Sequence, residues 1–198
     1  MNIAAVVLAA GEGTRMGGAV KQTLPFNGKT VLEQTIDNAT ASLLQQIFVV
    51  IGYRAELIEP LLSGRDVTVV NNSDYLKGQS SSLKAGLRAL PEGVDAALFL
   101  LGDQPLVAPQ TISRILDAFK ASQSPIVIPV YKGVRGNPVL FSRETFSHLL
   151  SLDGDSGGRT LFREYDGRLL ELEVDDPHIL FDLDTLEDYC ELLRIAGG

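Results

Sequence analysis

The sequence predicts an α/β protein with a doubly wound, mostly parallel sheet covered by helices on both faces, in three layers. Three observations carry this. Apolar runs of strand length recur through the chain and are continuous rather than alternating, as in strands buried on both sides. Stretches with apolar residues at helical spacing separate them. A glycine-rich loop directly follows the first run, at the carboxyl end of a strand, where ligands of such sheets sit.

Taken in order, Ile3–Leu8 is the first strand, and Val31, Leu32, Thr35, Ile36, Ala39 and Leu43 mark the first helix. Ile47–Ile51 is a second strand ended by Gly52, and Arg54 to Leu62 a short helix stopped by Ser63-Gly64. Val67–Val70 is a third strand, broken by the turn-forming Asn71-Asn72-Ser73-Asp74. Leu83, Leu87 and Leu90 mark a helix closing at Pro91, followed by a strand over Ala96–Leu101. Ile112, Ile115, Leu116 and Phe119 give a helix and Ile126–Val130 a fifth strand. The rhythm then changes. Tyr131 to Pro138 reads as a polar loop, Val139–Phe141 as a short strand, and Phe146, Leu149 and Leu150 as a helix. Leu169–Val174 alternates like a half-buried strand, and Thr185 to Ile195 forms a closing helix.

A chain of 198 residues with 45% hydrophobic content suits one domain with a sizeable core. No apolar segment approaches the roughly 18 to 20 residues of a spanning helix, and no basic region precedes the first apolar run. The expectation is a cytoplasmic protein without a membrane partner. A net charge of −8 argues against nucleic acid as a partner. The single Cys190 cannot form an internal disulfide and lies on the last helix, where a core role is expected. His148 and His178 pair with no nucleophile and have no metal-ligand spacing.

The opening loop, Leu8-Ala9-Ala10-Gly11-Glu12-Gly13-Thr14-Arg15-Met16-Gly17-Gly18-Ala19-Val20-Lys21, combines four glycines with two cations. Glycines let successive backbone N–H groups approach a polyphosphate, and cations neutralise it. Commoner glycine motifs fail on spacing. A dinucleotide fingerprint from Gly11 meets Met16 at its third glycine, and a Walker loop from Gly13 has Ala19 where its lysine belongs. Asp103, in Leu101-Gly102-Asp103-Gln104-Pro105, stands at the exit of a central strand, where a carboxylate suits Mg²⁺ bridged to phosphate oxygens. The alternative role for Asp103 is a turn or cap. Gln79, Ser80, Ser81 and Ser82 open a helix and either cap it or read a base edge. Arg135-Gly136-Asn137-Pro138 and Asp153–Arg159 resemble the far wall of a cleft, or else solvated loops. Asp182 and Asp184 precede the final helix, one as a cap and either as a second metal ligand.

Together these stretches resemble the MobA-like nucleotidyltransferases. Leu8-Ala9-Ala10-Gly11 with Arg15, Met16, Gly17 and Lys21 carries the resemblance, followed in order by Gly78, Ser80, Ser82 and Leu83, then Leu101–Pro105. Arg135, Gly136 and Pro138–Phe141, then Gly154, Asp155, Gly157 and Arg159, then Asp182, Asp184 and Thr185 extend it over nearly the whole chain. The branch it most resembles is the molybdenum cofactor cytidylyltransferases, which join CMP from CTP to molybdopterin. The resemblance implies a Rossmann-like nucleotide-diphospho-sugar transferase fold, with a nucleotide-binding half over about 1–105 and an acceptor-binding half over about 106–198. It implies nucleotide contacts from Leu8, Ala9, Ala10, Gly11, Gly13, Thr14, Arg15, Lys21, Gln79, Ser80, Ser82 and Asp103. Arg15, Lys21 and Asp103 are the implied catalytic residues, and Asp103 with Asp184 would hold Mg²⁺. Gln104, Arg135, Asn137, Asp155 and Arg159 are implied on the acceptor side. Two departures stand out: Val20 replaces the usual acidic residue before the lysine, and Asn137 a frequent histidine. The first bears on nucleotide preference and the second on the acceptor pocket.

The expected reaction is in-line attack by the terminal phosphate of molybdopterin on the α-phosphorus of CTP, releasing pyrophosphate. The alternatives are GTP as donor, a sugar 1-phosphate as acceptor, or a non-catalytic protein that carries the cofactor to a molybdenum-enzyme client.

Overall fold

The computed structural model describes residues 1–13 and 16–197. Its strands are β1 (Ile3–Ala9), β2 (Pro25–Phe26), β3 (Lys29–Thr30), β4 (Gln46–Ile51), β5 (Thr68–Asn71), β6 (Ala96–Leu101), β7 (Ile126–Tyr131), β8 (Val134–Arg135), β9 (Val139–Ser142) and β10 (Leu170–Glu173). Its helices are α1 (Val31–Thr40), α2 (Ala55–Ile58), α3 (Gln79–Ala89), α4 (Pro109–Ser122), α5 (Phe146–Ser151) and α6 (Leu186–Gly197). An eight-stranded sheet has the order β10-β7-β9-β6-β1-β4-β5, with β8 paired to β7, and β2 and β3 form a separate two-stranded piece. Pairing is parallel throughout β6-β1-β4-β5 and between β10 and β7. Among the described residues, only β9, set antiparallel between β6 and β7, and the hairpin strand β8 break that rule within the large sheet.

The central strands are apolar on both sides because both faces are covered. Along β1, Ala5, Val7 and Ala9 meet Leu32 and Ile36 of α1 and Ile112 and Ile115 of α4. Val6 points the other way, towards Leu83 and Leu87 of α3 and Leu149 of α5. This alternation produces the three layers, and the doubly wound, mostly parallel expectation holds. A smaller cluster joins Leu192 of α6 to Phe26, Val31 and Leu183.

Helix starts follow local chemistry. Thr30 and Glu33 form a reciprocal capping box on α1, the Thr30 N–H donating to Glu33 Oε2 at 2.8 Å. The first turn of α4 has Pro109, and the buried Asp176 accepts from the Ala108 N–H and the Thr111 hydroxyl at 3.2 and 2.7 Å. The start of α3 departs from the hydroxyl-capping reading. Gly78 precedes it without a side-chain cap, and the Ser80 N–H donates instead to the Gly154 carbonyl at 3.1 Å.

Four expectations need correction. Helix α1 ends at Thr40, leaving Leu43 exposed. The helix expected over Arg54–Leu62 divides into α2 and a 3-10 turn, Glu59–Leu62, because Pro60 has no N–H to continue an α-helical ladder. The loop from Tyr131 to Pro138 contains β8, which pairs Arg135 with Val130 and Val134 with Tyr131. Cys190 is exposed rather than in the core, since α6 touches the body along a narrow stripe around Leu192. No described helix is long and apolar enough to cross a membrane.

Candidate active site

Strands β1 and β6 are adjacent and parallel, so their carboxyl ends present the glycine loop and Asp103 side by side. Gly102 makes the junction tight: its N–H donates to the Leu8 carbonyl at 2.9 Å, and a Cβ there would lie 3.0 Å from that oxygen. Lys21 opens a 3-10 turn, Lys21–Thr23, after the loop, and its side chain returns to this edge. Its ammonium donates to Asp184 Oδ1 at 2.6 Å and to Asp103 Oδ2 at 3.2 Å. The lysine is only 8% exposed. Burial pulls its pKa down, but Asp103 and Asp184 outweigh that and hold it above the ordinary lysine value. Burial pushes the Asp103 carboxyl above the usual carboxylate range; Lys21 pulls it back, and the Asp182 charge pushes it further up.

The segment carrying Asp182 and Asp184 is fixed from two sides. The buried Gln104 amide donates to the Phe181 carbonyl at 3.1 Å and to Asp182 Oδ1 at 2.9 Å. Asp188, on the first turn of α6, accepts from the Asp184 and Thr185 N–H groups at 3.0 and 2.7 Å.

Two adjoining cavities meet here. One, of about 510 Å³, is walled by the glycine loop, Lys21 and Gln22 on one side and by Tyr75, Leu76, Ser82 and Asp155 on the other. The second, of about 370 Å³, has an apolar floor of Leu83, Phe99, Val139 and Phe141, with Asn137, Arg159, Asp182 and Asp184 at its rim. Leu8, Gln79, Leu101 and Asp103 line both.

The structure thus brings together Leu8, Ala10, Gly11, Gly13, Lys21, Gln79, Ser82 and Asp103 around the larger cavity, and Asn137, Arg159 and Asp184 around the smaller. Other expected residues lie elsewhere. Ala9 is fully buried in the core beneath the loop, because side chains alternate along β1. Ser80 is buried on the far side of the first turn of α3, beside Lys84 and Asn72. Gln104 faces the Phe181–Asp182 segment instead of a cavity. Arg135 pairs with Glu171 and lies 5.6 Å from the Phe162 ring centre, outside both cavities. Asp155, expected with Asn137 and Arg159, lines the larger cavity rather than the smaller one, because its loop folds over the start of α3. Thr14 and Arg15 fall outside the described residues.

Gln22, Tyr75 and Leu76 line the larger cavity without having been anticipated. An apolar pair between Asp74 and Lys77 in a polar turn is the signal that marks the last two.

The carboxylates present suit a hard divalent cation. Among the described residues no cluster of three or more His, Cys, Asp or Glu side chains is poised to hold a metal alone. Two carboxylates completed by phosphate oxygens and water are the donor set Mg²⁺ ordinarily takes. An ammonium already lies between Asp103 and Asp184, so the place accepts positive charge.

The chain is similar over most of its length to characterised proteins. It is 27% identical to the molybdenum cofactor cytidylyltransferase of Escherichia coli over 185 residues, 93% of this chain and 92% of that protein. It is also 27% identical over 202 residues to the nicotine blue oxidoreductase of Paenarthrobacter nicotinovorans, covering 96% of each. The crystal structure of Rv0371c from Mycobacterium tuberculosis superposes with a TM-score of 0.88 at 34% identity, covering 98% of both chains. That protein has also been solved as a complex with manganese, with a TM-score of 0.81 and 35% identity over 98% of this chain and 99% of that one. The MobA-like NTP transferase domain profile matches residues 5–169. With the glycine loop, Asp103 and the whole lining of the larger cavity inside that span, the chain belongs to the MobA-like NTP transferase family.

Proposed function

We propose that the protein transfers CMP from CTP to the terminal phosphate of molybdopterin, or of the molybdenum-loaded cofactor, and releases pyrophosphate, with Mg²⁺ as the required cation. One observation carries the reading: Lys21, Asp103 and Asp184 converge where a loop-walled cavity joins one with an apolar floor. A triphosphate suits the first cavity, with the Gly11 and Gly13 backbone and the Lys21 ammonium as its partners. A flat ring suits the apolar floor of the second, and Arg159 at its rim suits the acceptor phosphate. The acceptor oxygen attacks the α-phosphorus and the bond to the bridging oxygen breaks, so pyrophosphate leaves. A phosphate monoester is already ionised near neutral pH, so no side chain need remove a proton. The residues' task is to position the groups and offset their charge. Asp103 and Asp184 would hold Mg²⁺, which when bound supplies positive charge to the phosphates. Single-domain organisation, a cytoplasmic location and a molybdenum-enzyme client belong to the same proposal.

The test is pyrophosphate release from CTP, GTP, ATP and UTP, each with molybdopterin and with sugar 1-phosphates, in magnesium and in manganese. CTP with molybdopterin should give the fastest release, and Asp103→Ala should lower it by about 10²–10³-fold, as loss of a major electrostatic group does. Faster release with GTP or with a sugar 1-phosphate would replace the named substrates. The likeness to nicotine blue oxidoreductase favours a second reading, oxidoreduction. The same assay separates the two, because oxidoreduction forms no pyrophosphate.

A further inference from the structure

We propose that Lys21 is a resident stand-in for the divalent cation: its ammonium holds Asp103 and Asp184 together in the free protein and must leave them before a metal can bind, so that metal and nucleotide enter together. The inference rests on the nucleotidyltransferase reading for its ligands, but its geometry stands by itself. The two carboxylates suited to the metal are the two that Lys21 spans, at 3.2 and 2.6 Å. An ammonium has three donors and no acceptor, so it cannot join a metal's donor set. Between the same two carboxylates it would sit within a few ångström of a divalent ion, and this partly buried site screens that repulsion poorly. Lysine and metal are therefore rivals for one place.

The lysine also has somewhere to go. It lines the larger cavity as well as touching both carboxylates. Its stem lies along the glycine loop, where a Cβ on Gly13 would stand 3.2 Å from Lys21 Cγ and Cε. Gly13 has φ +57°, so glycine serves both the backbone and the room beside the stem. The four-carbon stem is flexible. A polyphosphate in that cavity gives the ammonium a second anionic partner, and its withdrawal frees the carboxylates. By linkage, nucleotide then raises metal affinity and metal raises nucleotide affinity by the same factor.

The measurement is Mn²⁺ binding to the nucleotide-free protein, by electron paramagnetic resonance and calorimetry, for wild type and Lys21→Met. Removing a residue that supports the site would ordinarily weaken the metal. Here Lys21→Met should bind Mn²⁺ more tightly, within the roughly 5- to 150-fold range of coupled sites. Adding Asp184→Asn to that variant should cancel the gain. Unchanged or weaker Mn²⁺ binding by folded Lys21→Met overturns the proposal, as does a gain that survives Asp184→Asn. If Lys21→Met gives no cooperative melt, Lys21→Gln, which keeps a donor between the carboxylates, takes its place under the same criteria. Pyrophosphate release by wild type tests the nucleotidyltransferase reading separately. No release with any nucleotide alongside tighter Mn²⁺ binding in the variant would reject that reading and keep the exchange.

Discussion

Gln104 illustrates how a residue can serve a site without lining it. It follows Asp103 directly, yet its amide reaches 77 and 78 residues ahead to the segment that leads into Asp184. Gln104→Leu would leave the half-buried Phe181 carbonyl and the exposed Asp182 carboxylate without that donor. A hydrogen bond in such a place contributes about 0.5–1.5 kcal/mol net, so the urea midpoint should fall accordingly. A midpoint equal to wild type would mean that water or a neighbour replaces the amide. Residue types were legible in the sequence, but their partners were not. Asp103 is recognisable from its place after an apolar run, and Lys21 from its place after the glycine loop. Lys21 meets Asp103 and Asp184 across 82 and 163 residues, a meeting that depends on the strand order. Ala9 shows the converse. A contiguous motif cannot say that its side chain alternates into the core while Leu8 and Ala10 face the ligand side.

At the scale of elements, burial decided what could be read. Strands β1, β4, β6 and β7 are buried on both faces and gave unbroken apolar runs. The strand β8 is two exposed residues in a hairpin, so no pattern marked it. Helix α3 lies so close to the sheet that a Cβ on Gly86 would fall 2.4 Å from Val6 Cγ1. Alanine there would gain about 1 kcal/mol of helix propensity. Overpacking a buried contact costs about 1–3 kcal/mol, so Gly86→Ala should be net destabilising by denaturant unfolding. Helix α1 offers a pH test. Burial pushes Glu33 and Asp37 up, but hydrogen bonds from Thr30 and Arg65 to Glu33, and from Lys29 and Arg65 to Asp37, hold both carboxyls below their ordinary values. Lowered carboxyls contribute stability that is full above their unfolded pKa and is lost as pH falls through the folded value. Arg65→Met should therefore melt below wild type at neutral pH, with the two curves converging from about pH 5 downwards. Curves that stay parallel would show that these pairs contribute little.

For the whole molecule, the binding partner should reveal itself as added stability. A ligand at 100 times its dissociation constant contributes about 2.7 kcal/mol, or about 5–10 °C in Tm for a chain of this size. With Mg²⁺ present, CTP should give the largest shift among the four nucleoside triphosphates, and a larger shift with GTP would redirect the base preference. The molecule carries a net charge of −8, yet Lys21 lies buried between two acids at the edge where the ligand is expected. Overall composition thus did not say where a single cation would be placed, whereas the succession of apolar runs was a good guide to the sheet.

The reversed strand β9 has a consequence for how the far wall of the site can vary. In a parallel sheet, one edge receives only the segments that leave strands, and each must return through a crossover of a dozen residues or more, usually helical. Because β9 runs backwards between β6 and β7, the segment that enters it reaches the same edge and delivers Asn137 there. That segment begins in the β7–β8 hairpin and has no crossover to complete. Each doubling of such a loop costs only about 0.6 kcal/mol in closure entropy. This wall of the smaller cavity can therefore lengthen or shorten by single residues while the strands beneath it keep their register.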